Sequence, residues 1–130
     1  MTTPIPSLRA LLGLDALSCA GMGAVLLAAP SALGGWMALP PALLNGAGLA
    51  LLPVAAFMAW LARGPGVPRW GLRLVVAGNL LWVAASLLLP LLGLVSPNAA
   101  GWAFLLGQAG FVGIMAWLEA TAGRAPAVAA

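Results

Sequence analysis

Asp15, Asn79, Trp82, Ser86 and Gln108 interrupt runs that are otherwise almost wholly apolar. Any chemistry inside those runs falls to them. A carboxyl such as Asp15 can hold a proton or a cation, and an amide such as Asn79 can satisfy a carboxyl by donating to it. The wider inventory is narrow. The 130 residues include no histidine and no tyrosine, and also no lysine. The commonest acid–base catalyst and metal ligand is therefore missing. Asp15 and Glu119 are the whole acidic complement. The usual sets for general acid–base, nucleophilic or metal-assisted catalysis are nearly absent. No catalytic residue, metal site or cofactor is assigned from the sequence. Cys19 is a single thiol, unable to form an intramolecular disulfide, and reads as a small packed residue.

These residues need elements to hold them, and the composition says which. The chain is 64% hydrophobic and 5% charged. A soluble domain of this length needs a far more polar surface, so the fitting solvent is lipid. A spanning helix requires about 20 apolar residues to cross roughly 30 Å of hydrocarbon. Four such runs lie near 9–29, 41–62, 70–92 and 98–120. PSALGGWMALPP, RGPGVPR and LGLVSPN separate them, each rich in turn residues. Pro40-Pro41 opens the second run, where a missing backbone N–H costs nothing. Pro53 sits inside that run, which a membrane helix tolerates. The expected fold is all-α: one membrane-embedded four-helix bundle, up-down-up-down, spanning 1–130. A cleavable signal peptide competes for the first run, but that run exceeds the usual 7–15 residue core.

Arginine placement orients the spans. Arg9 precedes the first, Arg63, Arg69 and Arg73 surround the connection between the second and third, and Arg124 follows the fourth. By the positive-inside rule both termini are cytoplasmic, in a bacterial inner membrane. The arginines stand at segment ends and form no patch, which argues against nucleic acid. Trp36 and Trp102 mark the outer boundary and Trp60, Trp70 and Trp117 the inner one, with Trp82 at mid-depth.

Two short matches suggest a repeated helical hairpin: FMAWLA with IMAWLE, and Arg9 then Asp15 with Arg73 then Asn79, six apart in each case. Low complexity makes such matches cheap, and chance carries slightly more weight. Ala16, Ala20, Ala24 and Ala28 form a stripe of small residues, with Gly13, Gly21 and Gly23 nearby. Such a stripe suits close packing within the chain or against a partner.

Asp15 lies about 9 Å beyond Arg9 along the helix axis. A charge at that depth must face protein or water. It is either a proton or cation site or a structural residue, protonated or paired with Arg73 or Arg9, and the structural reading weighs more. Asn79, Trp82 and Ser86 share one helical face, which should point inward. The matched spacing puts Asn79 at the depth of Asp15, so Asn79 is expected to satisfy it by a hydrogen bond. Gln108 is expected to join the Asn79 network, Asn45 to reach interfacial water, and Glu119 to stand solvated beside Arg124.

LLNGAGLALLPVAAFMAWLA, AGNLLWVAASLLLP and GWAFLLGQAGFVGIMAWLEA resemble stretches of small, uncharacterised four-helix bacterial integral membrane proteins, over most of the chain. The likeness lies in the hydropathy pattern together with Asn79, Trp82, Ser86 and Gln108. A more distant resemblance is to four-helix membrane proteins of the DoxX type, with no motif that carries over redox roles. It implies a fold and a location, and no activity.

The expected function is a non-enzymatic accessory or scaffold subunit that acts through helix packing. Its partners would be membrane lipid, further copies of itself, or a larger membrane protein. The alternative is an oligomeric binder or carrier of a small apolar molecule or ion, using the interior around Asp15, Asn79 and Gln108.

Overall fold

The computed structural model describes residues 7–124. The chain ends, whose cytoplasmic placement the arginines suggest, lie outside the described residues. Five helices follow in order: α1 (Leu8–Ala28), α2 (Pro30–Met37), α3 (Pro41–Arg63), α4 (Arg69–Leu91) and α5 (Ala99–Arg124). The described residues contain no strand. All but α2 are long and apolar enough to cross a membrane, which supports a membrane location.

Local chemistry explains the boundaries. Ser7 caps α1, its Oγ accepting from the Ala10 amide at 3.1 Å. Prolines begin α2 and α3 at first-turn positions. Pro53 lies within α3, which continues through it. α4 ends before Gly93, whose φ of +76° suits glycine. Asn98 starts α5, its Oδ1 accepting from the Gly101 amide at 2.9 Å.

Two expectations about the elements need correction. PSALGGWMALPP was expected as an irregular break, yet its first eight residues form α2. Pro30 pre-sets a helical φ, and Ala38 in the left-handed region ends the turn by donating to the Gly34 carbonyl. A Cβ on Gly34 would sit 2.6 Å from the Leu39 carbonyl oxygen, so this tight reversal requires glycine. The fourth run, expected to stop at 120, continues helically to Arg124.

Packing divides the bundle into two close pairs, α1 with α3 and α4 with α5. α5 also meets α1, and α2 lies against α1, α3 and α5. α1 and α3 cross at Gly23 and Gly48. A Cβ on Gly48 would lie 2.9 Å from Leu27 Cγ and 3.0 Å from the Gly23 carbonyl oxygen. Bare backbone at this crossing permits the approach, as small residues do between membrane helices. The alanine stripe is not the crossing line: Ala16 is buried, but Ala24 and Ala28 are exposed.

The two ends of the bundle are tied differently. At one end, an Arg9 guanidinium nitrogen donates to the Gly64 carbonyl at 2.7 Å. Trp60 and Trp70 cluster with Phe57, at centroid separations of 6.0, 6.1 and 6.3 Å. At the other end, Asn98 donates through its backbone N–H to the Met37 carbonyl at 3.2 Å and through Nδ2 to the Trp36 carbonyl at 2.9 Å. These bonds pin α2 to the start of α5. α3 and α4 are consecutive in the chain but are not a closely packed pair.

Candidate functional site

Three helices bring polar side chains to one point in the interior. Asp15 comes from α1, Asn79 from α4 and Glu119 from α5. Their fractional exposures are 1%, 7% and 0%. Asn79 Nδ2 donates to Asp15 Oδ2 at 2.9 Å and to Glu119 Oε1 at 3.0 Å. One amide nitrogen has two N–H bonds, so this bridge uses both. Cys19, one turn beyond Asp15 on α1, directs its thiol at Asp15 Oδ1 from 3.7 Å. The last carboxyl oxygen, Glu119 Oε2, is buried and has no hydrogen-bond partner among the described residues.

This arrangement removes one alternative and overturns one expectation. Asp15 does not pair with arginine: Arg9 and Arg73 are both exposed, and Arg9 instead donates to Gly64. Glu119 does not stand solvated beside Arg124. Because α5 extends to Arg124, Glu119 lies more than a turn inside the helix, on the face that also buries Met115 and Ala116. A signal for this was present in the sequence. Gln108 and Glu119 are eleven residues apart, close to three full turns, and so share a helical face. Glu119 was the functional candidate that the sequence reading missed.

Trp82, Ser86 and Gln108 form a second polar group, nearer the end closed by α2. Trp82 Nε1 donates to Gln108 Oε1 at 2.6 Å. Gln108 Nε2 donates to Ser86 Oγ at 2.7 Å and to the Leu105 carbonyl at 3.1 Å. Ser86 Oγ donates to the Trp82 carbonyl at 2.7 Å. Gln108 therefore ties α5 to α4 through Trp82 and Ser86 rather than by joining Asn79. Every donor of this group is engaged, and only acceptor lone pairs remain on Gln108 Oε1 and Ser86 Oγ. Asn45 is exposed.

The two polar groups border a pair of cavities. The larger, about 410 Å³, runs among α1, α3, α4 and α5, with Trp82, Ser86 and Gln108 in its wall. The smaller, about 360 Å³, lies between α3 and α4 and includes Cys19 and Asn79. Cys19, Leu51, Trp82 and Val112 belong to both walls, so the cavities are neighbours. Both open to the outside, and both take wall residues from α3 and α4, which are not a closely packed pair. Apart from the polar side chains named, the Cys19 thiol and Ser18, whose hydroxyl donates to the Asp15 backbone carbonyl, the larger cavity is lined by aliphatic, aromatic and thioether groups, among them Leu26, Leu51 and Phe104. No arginine lines either cavity.

Such an arrangement can enclose an apolar molecule, accept a hydrogen bond from it, and hold a proton nearby. Among the described residues no group of three or more His, Cys, Asp or Glu side chains is placed to hold a metal ion. In comparisons with protein-family models, curated proteins and solved structures, this chain matches none.

Proposed function

We propose that this protein is a multi-pass membrane protein of the bacterial inner membrane that binds a small, neutral, mainly apolar molecule entering sideways from the lipid. The observation that carries the reading is the outward-opening cavity of about 410 Å³ walled by α1, α3, α4 and α5. Ligand sites are typically concave and apolar, with a few fixed polar groups, and about 300–1,000 Å³ in volume. The polar groups here also indicate ligand chemistry. With Trp82, Ser86 and Gln108 donors already engaged, the wall offers acceptors. A hydroxyl-bearing molecule suits it. A carboxylate or phosphate does not, because no arginine reaches the cavity.

In this reading the spans run up-down-up-down with both termini cytoplasmic. The bond from Arg9 to Gly64 supports it by placing the first arginine at the same end as the α3–α4 connection. All five arginines are exposed, as charges at a membrane surface should be. A second reading, the accessory subunit, rests on another observation. Gly21, Ala24 and Ala28 leave the outer face of α1 exposed and nearly smooth, beside an exposed Leu17. That surface fits a partner helix.

Native mass spectrometry of protein gently solubilised from its own membranes tests the first reading. The expected result is one discrete neutral adduct, lost in Ala47→Phe, which fills the larger cavity, while the folded bundle is retained by circular dichroism. A spectrum with no adduct overturns the reading, as does an adduct equally abundant in the folded variant. A stoichiometric protein partner in place of the adduct favours the accessory subunit.

A further inference from the structure

We propose that Asp15 and Glu119, bridged by Asn79, form a proton-binding site that holds one proton on Glu119 Oε2 and the negative charge on Asp15. The argument begins with a count of donors. The two carboxyls present four oxygens. Asn79 Nδ2 supplies one N–H to Asp15 Oδ2 and one to Glu119 Oε1. The Cys19 thiol faces Asp15 Oδ1. Nothing donates to Glu119 Oε2, which is buried. A buried carboxylate oxygen without a donor is costly, and the neutral carboxyl costs far less to bury than the ionised one.

The surroundings give no other compensation. From α1 the cluster meets Asp15, Cys19 and Ser18, and Ser18 Oγ is occupied with the Asp15 carbonyl. From α4 it meets Asn79, and from α5 Glu119. α3 carries a single titratable residue, Arg63, which is exposed at its last position. Arg9, Arg69, Arg73 and Arg124 are likewise exposed. Among the described residues no positive charge offsets the cluster, so two ionised carboxylates would repel across one amide. Asp15 keeps the charge because two donors face it. Glu119 takes the proton because one of its oxygens has none.

A proton fits better than a metal cation. The Asn79 amide presents N–H groups to both carboxyls, which is the arrangement for anionic or neutral oxygens. A cation would require the amide oxygen in their place. The site also has a route for exchange. Cys19 and Asn79 form part of the wall of the smaller, outward-opening cavity, so water or a hydroxyl entering there comes beside the cluster. Proton uptake forms one O–H bond on Glu119 and lowers the charge of the pair from two to one. Release breaks that bond, leaves its electron pair on the carboxylate, and passes the proton to water.

The composition makes the test direct, since the chain has one aspartate and one glutamate, Asp15 and Glu119. Infrared spectra are recorded at neutral pH on wild-type protein made by cell-free synthesis, with the side-chain carboxyl of either Glu or Asp labelled with carbon-13. The expected result is a protonated-carboxyl C=O band that shifts in heavy water and shifts with labelled Glu, but not with labelled Asp. The band should be absent from Glu119→Gln. The wild-type labelling stands by itself if that variant fails to fold. The proposal is overturned if no protonated-carboxyl band exists, if the band follows the Asp label, or if it disappears on adding sodium chloride at constant pH.

Discussion

Replacing Asn79 should cost more than replacing Asp15, one of the two carboxyls it bridges. Asn79→Leu keeps a side chain branched at the same position and removes two hydrogen bonds, at 2.9 and 3.0 Å. Interhelical polar bonds within membranes contribute about 0.6 kcal/mol on average and about 1.7 at most. The direct loss is therefore about 1–3 kcal/mol. Two carboxyl groups with exposures of 1% and 0% then lose their donor, and each orphaned acceptor adds about 1 kcal/mol or more. Asn79→Leu should thus destabilise by about 3–5 kcal/mol. Asp15→Leu removes the costlier group itself and leaves Asn79 bonded to Glu119, with one N–H free. Its cost should be about 1–2 kcal/mol, the freed N–H being partly offset by removal of a buried carboxyl. In the double variant the two losses overlap, giving a coupling of about 1–2 kcal/mol. Reversible unfolding in mixed micelles, followed by tryptophan fluorescence as a denaturing detergent is titrated in, measures all four corners of the cycle. A coupling within about 0.5 kcal/mol of zero would show that the two sites are independent. Asp15→Leu proving the more damaging variant would refute the donor argument outright.

Two further expectations follow from the crossing of α1 with α3 and from the arginines. Gly48→Val places side-chain atoms against Leu27 and the Gly23 carbonyl, so it should lower stability in the same unfolding assay by about 1–3 kcal/mol. Gly13→Ala meets nothing within 4 Å and should change stability little; equal losses at the two positions would contradict the close crossing. A reporter active only in the periplasm, fused to the C-terminal end, should be silent, and strong activity would reverse the proposed orientation.

Much of the architecture is written in patterns that need no partner helix to be read. Hydropathy locates the four long helices because lipid demands a minimum apolar length. Prolines mark where α2 and α3 begin. The equal spacing from Arg9 to Asp15 and from Arg73 to Asn79 placed two polar groups at one depth, and their side chains meet at 2.9 Å. Features that depend on which helices become neighbours were harder to read. Gln108 was expected near Asn79 by depth alone. It lies instead where Ser86 and Trp82 of α4 face α5. Glu119 was misread because its nearest charge in sequence, Arg124, looked like a solvated terminus. A helix that continues past a carboxylate can still bury it, and only the continued turn of α5 reveals this.

The cavities follow from the same limit. Hydropathy alone does not distinguish a leucine facing lipid from a leucine facing a cleft, since both surroundings are apolar. Leu51 lines both cavities and Leu49, two residues earlier on α3, is exposed, yet nothing in their residue type separates them. What opens the cleft is a pairing preference. Gly23 and Gly48 draw α3 onto α1, while Gln108 draws α4 onto α5. Each close contact holds its helices within one pair, leaving α3 and α4 joined near their connection by Phe57, Trp60 and Trp70 and apart beyond it. The Asn79 bridge then takes on a second role. It links α4 to α1, which are not a closely packed pair, and so adds a hydrogen-bonded tie to the α1–α5 packing that joins the two pairs. On this account Asn79→Leu acts on the cleft as well as on stability: the pairs lose a crosslink, and any molecule seated between them loses a fixed wall.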